Sequence, residues 1–276
     1  MSPGISFVPT GIAVVDEILG GGFPRGFASL GAAPQGCGGT ITACQLALGM
    51  AQQGADVIYV TTEKAACSAR GISYRMLSSL GVPYPVLHKE GFKGVESRPE
   101  YRKPVEILQS VSNRIRIVPW PAGSQPGDFQ GTLEDILYDN PADCLVFDGL
   151  DKLVSLDLDE AELYANQQKH RLMGSACASL AAKHDVAILV FTKLTFDFES
   201  KKRRMYDILF GAGVSEEMPV FFGISSVGAA NRFGYARTQY WNFDKLRNAE
   251  SQTIKVEQEF EYQRWNFPDT LEDVAE

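Results

Sequence analysis

Two hydrophobic periods alternate along the chain. Apolar positions recur at helical spacing over residues 12–19, and the glycines at 20–22 end that stretch. Residues 27–30 form a short apolar run. A glycine-rich stretch follows at 31–40, then a second helical pattern at 41–53 with Gly54 as its stop. The run 57–60 is continuously apolar, which suits a parallel strand buried on both faces. Residues 65–80 read as a helix, and 81–104, with four prolines and mixed charge, as a loop or insertion. Helix is expected at 105–113 and strand at 114–118, and Thr132 is placed to cap a helix over 133–138. Two more buried strands, 143–150 and 186–191, flank an acidic loop over 151–164 and a long helix at 166–183, and 220–222 adds another strand. Toward the C-terminus, 238–243, 252–256 and 263–267 alternate as antiparallel strands do, and 268–276 is an acidic tail. Strands alternating with helices, then strands alone, predict a single α/β domain over 1–276. Its central twisted sheet is mostly parallel, flanked by helices and extended by antiparallel strands.

The stretch 31–40 carries the first candidate chemistry. A strand, a glycine-rich turn and a helix in that order make the architecture of a phosphate-binding loop, whose usual pattern is G-x-x-x-x-G-K-[ST]. Ala33 falls on the first glycine of that pattern, Gly38 on the second and Thr40 on the hydroxyl. Gly39 stands where the lysine is expected. The backbone N–H groups of Gln35, Gly36, Cys37, Gly38, Gly39 and Thr40 are the candidate cradle for a phosphate. Two acids close buried strands beside it. Glu63 follows 57–60, where a general base can orient an attacking water. Asp148 ends the run 145–147, at the position of the acid that holds magnesium in phosphate-loop NTPases, with Thr40 as the second metal-side group.

Further residues connect these landmarks to a family. Thr10-Gly11, Asp16, Leu19-Gly20-Gly21-Gly22 and Pro24-x-Gly26 lead directly into the strand and loop. The segment resembles the opening of the RecA-like ATPases, a superfamily that includes recombinases, KaiC proteins and DnaB-type replicative helicases. The resemblance runs from Thr10 to Phe267 and implies a RecA-like P-loop NTPase fold. It identifies Glu63 as the glutamate that polarises water and Asp148 as the magnesium-holding acid. Lys193, in Thr192-Lys193-Leu194, occupies the place of a glutamine that senses the γ-phosphate. Asp244-Lys245-Leu246-Arg247-Asn248 is similar to a helicase hairpin whose Lys-x-Arg pair reaches a neighbouring subunit's γ-phosphate, which assigns that role to Lys245 and Arg247. Lys201, Lys202, Arg203 and Arg204 lie where DnaB-type helicases carry a mobile basic DNA-contacting loop.

Charge changes this picture in places. The net charge of −8 over 276 residues argues against a basic nucleic-acid coat protein and leaves room for a local basic channel. The stretch 151–164 holds five acids against Lys152 alone, so it is expected to repel phosphates where the helicases present a DNA-facing loop. Five cysteines without paired C-x-x-C spacing read as reduced, mostly buried thiols, and the three histidines form no ligand pattern. No apolar stretch has the length of a membrane span and the first residues resemble no signal peptide, so a cytoplasmic protein is expected.

Loss of the loop lysine is expected to lower hydrolysis more than binding. The leading expectation is a helicase-like, ring-forming protein of DNA replication or recombination. It is expected to be a homo-hexamer or another ring that binds single-stranded DNA beside replication proteins. It would take ATP or ADP with Mg²⁺ and hydrolyse it weakly or not at all. One alternative is an active single-stranded DNA translocase in which Lys193, Lys64 or Lys245 replaces the lost charge. The other is a structural hexamer without a nucleic-acid role.

Overall fold

The computed structural model describes residues 5–34, 36–62, 65–121, 126–153, 160–194, 218, 220–226, 238–245 and 251–271. Strand β1 (Phe7–Val8), helix α1 (Ala13–Leu19) and strand β2 (Phe23–Pro24) open the chain, followed by β3 (Ala28–Pro34), α2 (Gly39–Gln52), β4 (Val57–Thr61) and α3 (Ala65–Ser79). Then come α4 (Tyr84–Glu96), α5 (Arg102–Val111), β5 (Ile115–Pro119), α6 (Phe129–Asp139), β6 (Cys144–Asp148), α7 (Glu160–His184) and β7 (Ala187–Leu194). Strands β8 (Val220–Ser226), β9 (Thr238–Lys245), β10 (Gln252–Glu259) and β11 (Arg264–Asn266) complete the described elements.

Among the described residues a nine-stranded sheet runs in the order β11-β10-β9-β8-β3-β7-β6-β4-β5. From β8 to β5 all neighbours are parallel, and β9, β10 and β11 are antiparallel. Helices cover both faces of the parallel part, so its strands are apolar at consecutive positions and the alternation sorts them into two cores. Cys144 and Val146 join the layer under α2, while Leu145 and Phe147 join the layer under α6 and α7. The α/β class, the mostly parallel sheet and the antiparallel C-terminal extension match the expectation from sequence.

Before β3, Asp16 organises the turn that leads in. Its Oδ1 accepts from the Thr10 N–H and Oγ1, each at 2.7 Å, and its Oδ2 accepts from the Gly11 N–H at 3.1 Å. Gly20 then closes α1 in a left-handed conformation, φ 72°.

Three local expectations are corrected. Residues 84–104, read as a loop or insertion, carry α4 and the start of α5. The prolines mislead because Pro85 sits in the first turn of α4, where a missing N–H costs nothing, and Gly91 (φ 70°) allows a kink within it. Leu77, Val82, Leu87, Val95 and Val105 form a small core of their own there. Helix α6 begins at Phe129, so Thr132 lies inside it and caps nothing. Within the stretch read as an acidic loop, Leu150–Leu153 is a 3-10 turn and α7 already starts at Glu160.

Candidate functional site

Strand β3 hands over to α2 through the glycine-rich turn; Gln35 lies outside the described residues. The Cys37 N–H donates to the Pro34 carbonyl at 3.0 Å and tightens the turn. Gly36 and Gly38 hold φ of 78° and 88°, the left-handed region that glycine enters without strain. A Cβ at Gly38 would also stand 2.6 Å from Trp265 Cζ2. Gly39 is different. It is the first residue of α2, and a Cβ there meets only Ala33 Cβ at an ordinary 3.5 Å. Neither backbone nor packing requires glycine where the lysine is missing. Gly38 precedes α2 and offers no side-chain cap, so the first N–H groups of the helix face outward with the positive end of its dipole.

Asp148 ends β6 across from this turn and is only 6% exposed. Its two oxygens are held apart by different partners. Thr40 Oγ1 donates to Oδ1 at 3.3 Å, and Tyr59 Oη donates to Oδ2 at 2.9 Å. Cys44 Sγ lies 3.6 Å from Tyr59 Oη. Burial, and after it the charge of Asp148, pushes the Tyr59 phenol well above its ordinary 10.0, so it remains a donor at neutral pH. Thr40 hydroxyl and Asp148 carboxylate together are a hard-oxygen pair of the kind a magnesium ion takes.

After Asp148 the chain turns sharply at Gly149, φ 100°. Thr62 Oγ1 donates to the carbonyls of Asp148 and Gly149 at 3.3 and 3.1 Å, and the Gly149 N–H donates to the Phe191 carbonyl at 3.3 Å. Turn and loop enclose a pocket of about 170 Å³ whose walls include Gly36, Gly39, Thr40, Asp148, Asp151 and Lys152. Lys152 was missed as a site residue by sequence reasoning, which saw it only as the exception in an acidic stretch. The signal that points to it is its position four residues after Asp148, within one turn of the strand end.

The other expected residues divide. The Lys193 backbone pairs with Ala33, beside the start of the loop. Lys245 ends β9 in register with Phe221, which pairs with Leu30. The loop leaves β3 four residues further on, roughly 13 Å along the strand, and β9 lies two strands, about 10 Å, to the side. Lys245 thus sits at the opposite end of the sheet from its own phosphate loop, farther than a lysine side chain extends. Within one chain it is not a substitute for the loop lysine. Glu63, Lys64, Arg247 and the run Lys201, Lys202, Arg203 and Arg204 lie outside the described residues.

Among the thiols, Cys44, Cys144 and Cys177 are buried and Cys37, in the loop, is half-buried. Burial pushes the Cys177 thiol up to about 12 and raises Cys144 further, so neither is a nucleophile at neutral pH. Among the described residues no helix is long and apolar enough to cross a membrane.

A family model described as "ATPase: KaiC" matches residues 8–180. Among solved structures, a DnaB-like replicative helicase studied for its interactions with primase aligns with a TM-score of 0.73 at 15% identity, over 95% of this chain and 62% of that one. This chain therefore spans less than two thirds of that helicase. A second solved structure, an ATPase domain on its own, aligns with a TM-score of 0.74 at 15% identity, over 97% of this chain and 93% of that domain. No curated protein sequence matches. The architecture is the RecA-like P-loop ATPase fold seen in those domains.

Proposed function

The chain belongs to the KaiC family of ATPases, and from that membership we propose that it is a helicase-like, nucleotide-binding protein of DNA replication or recombination whose hydrolysis is impaired by Gly39. The observation that carries this reading is the contrast within one turn. Gly36 and Gly38 keep the left-handed backbone that a phosphate loop needs and Thr40 and Asp148 keep their pairing, while the loop's cation is replaced by Gly39 and its first glycine by Ala33. The N–H groups from Gly36 to Thr40 are the phosphate cradle, and Thr40 and Asp148 hold magnesium. Bound Mg²⁺ supplies charge neutralisation on the phosphates. Without the loop lysine, one preorganised charge at the transferring phosphoryl group is lost, so turnover falls roughly a hundredfold or more. Binding relies more on the backbone and survives better.

Glu63 orients the attacking water in whatever hydrolysis remains, and Lys193 meets the γ-phosphate side. Lys245 and Arg247 serve the neighbour's site in a ring, and Lys201, Lys202, Arg203 and Arg204 contact single-stranded DNA. The solved DnaB-like relative is a helicase described with primase, which supports a place among replication proteins.

Steady-state ATPase with and without single-stranded DNA tests the central claim. The expected result is turnover near background in the wild type and a clear rise in Gly39→Lys, at a position where a Cβ meets only Ala33 at an ordinary contact distance. Robust wild-type turnover that vanishes in Glu63→Gln would make the protein an active translocase instead. That second reading is favoured by the retained Thr40–Asp148 pair.

A further inference from the structure

We propose that Lys152 supplies, for nucleotide binding, a cation that Gly39 cannot, meeting the phosphates from the turn after β6, while the loop lysine's charge at the transferring phosphoryl group stays lost. The inference deepens the nucleotide-binding reading above and rests on it. Loop residues Gly36, Gly39 and Thr40 contribute one part of the pocket wall, and Asp148, Asp151 and Lys152, from the end of β6 and the turn after it, contribute another. Among the described lining residues, Lys152 is the sole basic side chain. Two carboxylates in that wall would repel a polyphosphate. A magnesium ion on Asp148 offsets one of them, and a neighbouring ammonium is needed to make the remainder attractive.

Local geometry keeps Lys152 at this wall. The Lys152 N–H donates to the Gly149 carbonyl at 3.1 Å, which curls the chain back over the strand end. A Cβ at Gly149 would stand 3.4 Å from Lys152 Cδ, so the aliphatic stem lies over the glycine. The same Cβ would stand 2.3 Å from Thr62 Oγ1, so no larger residue permits this fold-back. The magnesium-side acid and the cation therefore come off one turn, which Thr62 holds through the carbonyls of Asp148 and Gly149. Lys152 is exposed, and its flexible stem suits a point charge that closes on a ligand.

Equilibrium binding of fluorescent adenosine mono-, di- and triphosphates with Mg²⁺ tests the assignment, using wild type, Lys152→Ala, Lys152→Arg, Lys193→Ala, Gly39→Lys and Gly39→Lys/Lys152→Ala. Lys152→Ala is expected to weaken triphosphate binding roughly 10- to 100-fold, the range for a charge-assisted contact. The loss is expected to shrink from tri- to monophosphate, whereas a merely structural defect weakens all three alike. Lys152→Arg retains binding, and a lysine at position 39 restores it in the double variant by delivering the charge from the phosphate loop. Unchanged affinity in Lys152→Ala overturns the proposal and leaves nucleotide binding standing. So does a loss confined to Lys193→Ala, which moves the cation to Lys193. Absence of binding by both the wild type and Gly39→Lys overturns the nucleotide reading together with the proposal. Absence in the wild type with binding by Gly39→Lys overturns Lys152 alone.

Discussion

Tyr59 is the residue on which the state of Asp148 depends most directly. Its hydroxyl takes one carboxylate oxygen and leaves the other to Thr40. Tyr59→Phe removes that donor without opening a cavity, because the ring stays in place. The expected result is a rise of roughly 10- to 100-fold in the Mg²⁺ concentration needed for half-maximal nucleotide binding, the size of one hydrogen bond to a charged group. Mg²⁺ titrations of nucleotide affinity read it directly, and an unchanged requirement would remove Tyr59 from the site. The same residue makes a pH prediction. Its folded pKa lies above the unfolded value of 10.0, so the unfolded chain ionises first. Stability from keeping it neutral is complete below about pH 10 and is lost as pH rises further. In urea titrations at high pH the wild type is expected to lose stability more steeply than Tyr59→Phe. Neighbouring glycines are unequal in the same way. Gly38→Ala combines φ 88° with a 2.6 Å contact to Trp265 and is expected to cost about 1–3 kcal/mol of stability, while Gly39→Ala is near neutral.

At the scale of elements, the antiparallel extension is tied to the phosphate loop by its last strand. Trp265 in β11 donates through Nε1 to Thr42 Oγ1 at 3.0 Å. Its backbone exchanges hydrogen bonds with the Gln45 amide at 3.0 and 2.8 Å, so α2 is gripped along its first turns. From Trp265 the aromatic contacts continue through Trp241 and Phe222 to Phe191 beside β3. Gly31 makes this possible, since a Cβ there would stand 2.7 Å from Phe222. Trp265→Ala is expected to destabilise the protein by about 3–5 kcal/mol, with loss of a fully buried ring and of the clasp on α2. Trp265→Phe keeps most of the apolar surface and is expected to cost less, but to weaken nucleotide binding by removing the donor to Thr42, whose hydroxyl holds the Gly38 carbonyl at 3.0 Å. Chemical denaturation of the two variants, with nucleotide affinity measured on each, separates packing from clasp.

For the whole molecule, sheet order decides which cations share a site. Strand β9 runs antiparallel to β8, so its last residue, Lys245, lies level with Leu30, at the far end from Pro34. The backbone of Lys245 therefore lies away from its own phosphate loop, which is compatible with the proposed role of Lys245 and Arg247 at a neighbour's site. If that is their role, the protein assembles with nucleotide into particles heavier than one chain, and Arg247→Ala lowers turnover in a Gly39→Lys background without altering nucleotide affinity. Light scattering showing a monomer in every condition would end the trans assignment. With a net charge of −8, the proposed nucleic-acid binding requires a local patch. Changing Lys201, Lys202, Arg203 and Arg204 together to alanine is expected to weaken single-stranded DNA binding and flatten its salt dependence.

Sequence by itself determined the strand–helix alternation, the two-sided burial of the central strands and the loop between β3 and α2. These follow from local period, chain order and glycine placement, which no distant contact needs to supply. It also marked Asp148, because an acid after a buried apolar run is legible without a partner. Tertiary structure alone decided what surrounds that acid. Tyr59 is 89 residues from Asp148, and Trp265 is 223 residues from Thr42, distances across which a sequence pattern carries no pairing information. Helix α4 was hidden for a related reason. Its prolines and glycines break the local pattern, and it is the packing of Leu87 and Val95 against α3 and α5 that makes it a helix. Lys152 and Lys245 exchanged their importance in the same way. One looked like a stray charge and the other like a spare cation, until a turn at Gly149 brought the first to the pocket and sheet order carried the second to the opposite end.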